Sequence, residues 1–193
     1  MLTDYARRWS RGFLGVIARF IGWLGISPNA ITVAGFLLTA AVAILLGHGY
    51  LQLGGVLLIL TAGLDAIDGT MARVLDRGTR FGAFLDSTLD RYSEIVLYLA
   101  LVIYFHYQGS TTEMILSFVT IGGSLMVSYT KARAEGIGIP LKGGMLGRFE
   151  RTVILIAALI LNQMTYGLWI LAVLSNFTAL QRIWLVWQAL RKQ

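Results

Sequence analysis

Six stretches of the chain, 28–47, 51–72, 82–106, 112–132, 150–166 and 167–187, are predominantly apolar. Each approaches the roughly 20 residues that a helix needs to cross the hydrocarbon core of a bilayer. Short polar breaks separate them in pairs: Gly47-His48-Gly49-Tyr50, then Tyr107-Gln108-Gly109-Ser110-Thr111, then Asn162-Gln163-Met164-Thr165. The third stretch is the most polar, because Asp86, Asp90, Arg91 and Glu94 fall in its first half. Composition agrees with this pattern. Of 193 residues, 56% are hydrophobic and only 13% are charged, about half the usual ~25%. A water-soluble domain of this length needs more polar surface. Cysteine is absent, which excludes a disulfide scaffold and any cysteine nucleophile or metal ligand. The expected fold is an all-α integral membrane protein with six transmembrane helices.

Residues 1–24 have a different pattern. Leu2, Tyr5, Trp9, Phe13, Val16, Ile17, Phe20 and Leu24 recur every three or four residues, with Arg7, Arg8, Arg11 and Arg19 between them. This predicts an amphipathic helix lying in the membrane interface, ahead of a six-span domain over 25–193. A cleaved signal peptide does not fit, since arginines run throughout and no small-residue cleavage site follows. All 16 Lys and Arg lie in four zones, 7–19, 73–91, 131–151 and 182–192. With six spans, those zones share one side. The positive-inside rule makes that side cytoplasmic, with both termini inside and the protein multi-pass in the plasma membrane. The net charge of +6 thereby has a topological origin. No soluble basic surface exists for nucleic acid, and none is expected as a partner.

Six of the ten acids lie between Asp65 and Glu94. Asp65 and Asp68 are three apart and share a helix face. Asp86 and Asp90 are four apart and share another. The turn between these segments brings four carboxylates toward one end of the bundle. Ionisable groups at membrane depth each cost roughly 2.5–3.5 kcal/mol on insertion scales. Divalent cations resolve the repulsion, and an all-carboxylate set suits Mg²⁺ or Mn²⁺. Ion pairing of these acids with Arg73, Arg77, Arg80 and Arg91 is the plain alternative. It would not require so regular a spacing.

The full run from Asp65 to Asp90 is Asp65-x2-Asp68-Gly69-x2-Ala72-Arg73-x8-Gly82-x3-Asp86-x3-Asp90. These eight positions resemble the complete signature of the CDP-alcohol phosphotransferases. The resemblance implies six spans, an N-terminal interfacial helix, a homodimer, and exchange of CMP on a CDP-linked lipid for an alcohol. It implies that Asp65, Asp68, Asp86 and Asp90 hold a two-metal Mg²⁺ site, Mn²⁺ being possible, with Asp90 also the base. It implies that the CDP-lipid, CDP-diacylglycerol or a CDP-archaeol-type lipid, lies against Asp65, Asp68, Gly69, Ala72, Arg73 and Thr79. The segment Pro28-Asn29-Ala30-Ile31 belongs to the same donor site by this resemblance.

The acceptor is read from a second group. Ser128, Lys131 and Arg133 end the fourth stretch, and Arg148 and Arg151 begin the fifth. So many cations fit a phosphorylated polyol better than a neutral alcohol. The Lys131-Ala-Arg133-Ala-Glu segment and the later Arg148-x-x-Arg151 are similar to prokaryotic phosphatidylinositol phosphate synthases. That similarity implies that Ser128, Lys131, Arg151 and Arg191 hold the phosphate of inositol 1-phosphate, with Arg133 and Arg148 beside them. It departs at Gly147-Arg148-Phe149-Glu150-Arg151, where those enzymes usually carry Glu-Arg-Pro-Glu-Arg. Glycerol 3-phosphate, the acceptor of a phosphatidylglycerophosphate synthase, is the alternative. A cation transporter would spread its acids through several spans, and here they gather at one end.

Overall fold

The structure, a computed structural model, describes residues 20, 22–74, 78–141 and 143–191. The side chains of residues 66, 68, 69 and 72–74 fall outside the description. Six helices account for most of it: α1 Pro28–Gly47, α2 Leu51–Val74, α3 Arg80–Tyr107, α4 Thr111–Gly136, α5 Arg148–Ile160 and α6 Met164–Arg191. The chain is all-helical among the described residues. Three helices, α1, α4 and α6, are long and apolar enough to cross a membrane. Most of the expected interfacial helix, residues 1–19 and 21, lies outside the described residues. Its described end is helical at Phe20, Gly22 and Trp23 and stops at Gly25, where φ is 76°.

The helices begin and end where local chemistry allows. Ser27 precedes Pro28 and accepts the Ala30 N–H on its hydroxyl at 3.2 Å. Proline follows at the first helical position, where no N–H is needed. Four helices end alike. After α1, α3, α4 and α5, a residue with positive φ (Gly49, Gly109, Gly138 and Asn162) turns the backbone. The next N–H then reaches back five residues: Tyr50 to Leu45, Ser110 to Phe105, Ile139 to Ala134, and Gln163 to Ala158. This is the Schellman closure, which satisfies carbonyls that the helix leaves open. The last of these turns moves a boundary. The fifth apolar stretch was expected to run to residue 166, but the backbone turns at 161–163 and α6 starts at Met164.

The chain gathers into two compact units: residues to Ala41 with Leu57–Ser93, and Val42–Val56 with Glu94 onward. In the first unit, Ile31 of α1 packs on Met71 and Ile67 of α2, and Met71 is fully buried. In the second, small residues let helices touch. A Cβ on Gly123 of α4 would lie 2.6 Å from Asn176 Nδ2 and 2.9 Å from Ser175 Cβ of α6. A Cβ on Gly55 of α2 would lie 2.8 Å from Leu159 Cβ of α5. Close backbone approach of this kind replaces the hydrophobic drive that lipid does not supply.

Candidate active site

The donor-side residues lie in the first unit. Thr79 caps α3, accepting the Gly82 N–H on its hydroxyl at 2.9 Å. Gly82 follows on the first turn. A Cβ there would lie 2.7 Å from Asn29 Oδ1 and 3.1 Å from Thr79 Oγ1. Three residues from separate parts of the donor signature, Asn29, Thr79 and Gly82, are therefore in one place. Pro28 is the first residue of α1 and Ala30 is exposed, with its N–H on Ser27. Ile31 takes a packing role, since it is 7% exposed and buried against Met71.

The carboxylates come from α2 and α3. Asp65 is half-buried, and its Oδ1 faces Gly35 of α1, where an added Cβ would sit 3.5 Å away. Asp86 and Asp90 are half-buried on α3, one turn apart. Arg91 is Asp90's sequence neighbour, with Nη1 4.0 Å from Asp90 Oδ2. The same guanidinium donates to the Ser87 carbonyl. Asp68, Gly69, Ala72 and Arg73 lie on the last turns of α2, and their side chains fall outside the described residues. Among the described residues no three acidic or histidine side chains converge as a metal group. Asp65, Asp86 and Asp90 are three of the four expected ligands, and the side chain of Asp68 lies outside the described residues. The donor chemistry does fit a hard divalent cation, because every candidate is a carboxylate oxygen.

The acceptor-side residues lie in the second unit. Lys131 and Arg133 are exposed on the last turns of α4, and Lys131 pairs with Glu135 at 3.8 Å. Ser128, one turn earlier, is half-buried, as is Arg148, the first residue of α5. Arg191 is exposed near the end of α6, its guanidinium 4.2 Å from the Trp187 ring centroid. Arg151 is the most buried of these cations. It is 1% exposed, and its fork closes on Glu94 of α3. Nη2 donates to Glu94 Oε1 at 2.7 Å and Oε2 at 3.0 Å, and Nε donates to Oε1 at 3.2 Å. Nη1 donates to the Leu146 carbonyl at 3.3 Å. Ser124 of α4 donates its hydroxyl to Glu94 Oε2. One buried carboxylate thus joins α3, α4 and α5.

A neighbouring set fixes the α4–α5 connection. Thr178 of α6 accepts the Leu146 N–H at 3.1 Å, and Gln181 accepts the Met145 N–H at 3.0 Å. Arg182 is 8% exposed and donates to the carbonyls of Gly143, at 3.2 Å, and Val127. Gly144 has φ 122°, and a Cβ there would meet Arg182 Nε at 2.8 Å. The sequence gives no local sign of this strap. Each bond spans 30 or more residues. An acid in an apolar stretch needs a counter-ion, but nothing local marks Arg151 as the partner of Glu94.

Comparison with known proteins agrees with this layout. The profile of the family described as CDP-alcohol phosphatidyltransferase matches residues 25–188. The archaetidylinositol phosphate synthase of Pyrococcus horikoshii is 37% identical over 172 residues, 87% of each chain. The phosphatidylinositol phosphate synthase of Corynebacterium glutamicum is 34% identical over 192 residues, covering 95% of this chain and 88% of its own. Crystal structures of the Mycobacterium tuberculosis phosphatidylinositol phosphate synthase share the fold. The form with CDP-DAG bound superposes at a TM-score of 0.85 with 32% identity, covering 90% of this chain and 93% of that one. The same enzyme has also been crystallised with manganese and citrate, and there the TM-score is 0.86. With an intact signature on α2 and α3 and a family match over most of its length, this chain belongs to the CDP-alcohol phosphatidyltransferase family.

Proposed function

We propose that this protein transfers a phosphatidyl group, or its ether-lipid equivalent, from a CDP-lipid to inositol 1-phosphate and releases CMP. The observation that carries this reading is the pairing of a complete donor signature with a cation-rich acceptor segment on α4 and α5. Relatives similar over about nine-tenths of the chain are named as synthases of phosphatidylinositol phosphate or archaetidylinositol phosphate, and one of them has been crystallised with CDP-DAG bound. Asp65, Asp68, Asp86 and Asp90 hold a pair of divalent cations, Mg²⁺ or Mn²⁺. When bound, those cations offset the charge of the donor pyrophosphate and of the leaving CMP. Asp65, Asp68, Gly69, Ala72, Arg73 and Thr79, with Pro28, Asn29, Ala30 and Ile31, form the CDP-lipid side. Asp90 accepts the proton of the attacking hydroxyl. The new oxygen–phosphorus bond forms at the lipid-side phosphorus, and the bond to CMP breaks. Ser128, Lys131, Arg133, Arg148, Arg151 and Arg191 take the acceptor's phosphate through charge-assisted bonds.

The same reading assigns residues 25–193 to a six-span domain and residues 1–24 to an interfacial helix. The protein is multi-pass in the plasma membrane with both termini cytoplasmic, and works as a homodimer. The decisive assay follows CMP release from CDP-diacylglycerol by purified protein in detergent. Inositol 1-phosphate and glycerol 3-phosphate are supplied separately as acceptors. Turnover with inositol 1-phosphate, abolished by EDTA and restored by Mg²⁺, is the expected result. Turnover with glycerol 3-phosphate alone would make the protein a phosphatidylglycerophosphate synthase instead.

A further inference from the structure

We propose that Ser175 of α6 holds a buried water molecule that bridges to Thr120 of α4, as a fixed part of the contact between these two helices. The proposal does not depend on the substrates. It begins with how the two helices lie. Both are long and apolar enough to cross a membrane. They run in the same direction. Near their starts, Thr165 of α6 donates its hydroxyl to Glu113 Oε1 of α4 at 2.7 Å. Further along both, Asn176 Nδ2 donates to the Val119 carbonyl at 3.4 Å. Gly123 and Ser175 meet at the same level, where a Cβ on Gly123 would lie 2.9 Å from Ser175 Cβ.

Small polar side chains line this seam. Ser117, Thr120 and Ser124 of α4 and Ser175 and Thr178 of α6 are all sealed, at 1% exposure or less. A hydroxyl taken out of water needs a partner. Ser117 donates to the Glu113 carbonyl at 2.8 Å, Thr120 to the Leu116 carbonyl at 2.7 Å and Thr178 to the Leu174 carbonyl at 2.7 Å. Ser124 donates to the Glu94 carboxylate. Ser175 Oγ is the exception, with no partner among the described residues. Bulk water does not reach such a group inside a bilayer. A single ordered water satisfies it where the surroundings are polar and a second group helps to hold the molecule. Thr120 is that second group. It lies three residues before Gly123 and shares its face of α4. A helical Cα–Cβ bond tilts toward the N-terminus. Ser175, facing Gly123, therefore leans back toward the turn that carries Thr120. Gly123 puts no side chain between them. The one proton of Thr120 goes to Leu116, and its oxygen keeps a lone pair for a donor. The water donates to Thr120 and takes the proton of Ser175. The bridge sets the register of α4 against α6 away from the Glu113–Thr165 bond.

The test compares thermal unfolding of full-length variants in one detergent. Ser175→Ala removes the hydroxyl. A held water predicts a melting temperature lower by about 2–4 °C or more, because buried hydrogen bonds are lost. If the hydroxyl has no partner at all, alanine removes an unsatisfied buried group. The melting temperature then stays or rises, and either result overturns the proposal. A hydroxyl that rotates onto the Leu171 carbonyl would also make Ser175→Ala less stable, so a second variant is needed. Thr120→Val keeps the shape of the side chain and removes the oxygen that accepts from the water. With a shared water the two losses overlap, and the double variant melts close to the weaker single one. Losses that add in full show two independent hydroxyls and overturn the bridge. A high-resolution crystal structure gives the direct reading. Water density within hydrogen-bond distance of both Ser175 Oγ and Thr120 Oγ1 is expected. Ser175 Oγ on the Leu171 carbonyl, with no such density, would end the proposal.

Discussion

Asp90 and Gly82 show how single residues on α3 serve the donor side in different ways. Asp90 has Arg91 as its sequence neighbour, with Nη1 4.0 Å from Asp90 Oδ2. A base must be ionised and able to accept a proton. Asp90→Asn keeps the shape and loses that capacity. It is expected to retain CDP-lipid binding and to lose about 10²–10⁴-fold in turnover. Binding measured by calorimetry beside CMP release checks this, and full activity would remove Asp90 from the base role. Gly82 acts through space rather than charge. Its missing Cβ leaves room for Asn29 Oδ1 and Thr79 Oγ1, which an added Cβ would crowd at 2.7 and 3.1 Å. Overpacking such a contact costs about 1–3 kcal/mol. Gly82→Ala is expected to lower thermal stability in detergent and to raise KM for the CDP-lipid, with acceptor KM little changed.

The helices were largely legible in the sequence, because apolar runs and their breaks are local properties. The run 28–47 is α1 to the residue, and 82–106 differs from α3 by two residues at one end and one at the other. The fifth stretch was misplaced, because Asn162 takes φ 54° and closes α5 early. Nothing in hydropathy reports a single left-handed residue between two apolar runs. At 13 residues, α5 spans only about 20 Å. The shared closure of four helices gives a direct test. Nothing lies within 4 Å of a Cβ added to Gly109, so only its φ of 69° opposes a side chain. Gly109→Ala should cost about 1–2 kcal/mol from the left-handed conformation alone. Asn162→Gly relieves the same conformation and should be tolerated, with a melting temperature at or slightly above that of the parent. Thermal unfolding of both variants in one detergent decides the matter.

At the scale of the whole chain, the four basic zones predict an orientation, and the absence of cysteine makes that prediction directly testable. A single introduced cysteine is therefore unambiguous. A cysteine at Gln108 should react with an impermeant maleimide in intact cells, and one at Glu135 only after permeabilisation. The reverse pattern would invert the topology. The donor carboxylates were legible because their spacing, three residues and then four, is confined to one stretch of 26 residues. The network behind the acceptor side was not. Glu94 and Arg151 stand 57 residues apart, and the bonds of the strap from α6 to the α4–α5 connection span 32 to 39. No local period reports such a pairing. The Glu94–Arg151 pair also bears on how the protein is made. Synthesis proceeds at about 5–20 residues per second, so Glu94 leaves the ribosome roughly 3–11 seconds before its counter-ion. For that interval Glu94 lacks the partner it is buried against. Closure of the α3–α4–α5 junction thus waits on the fifth helix, and final assembly falls late in translation.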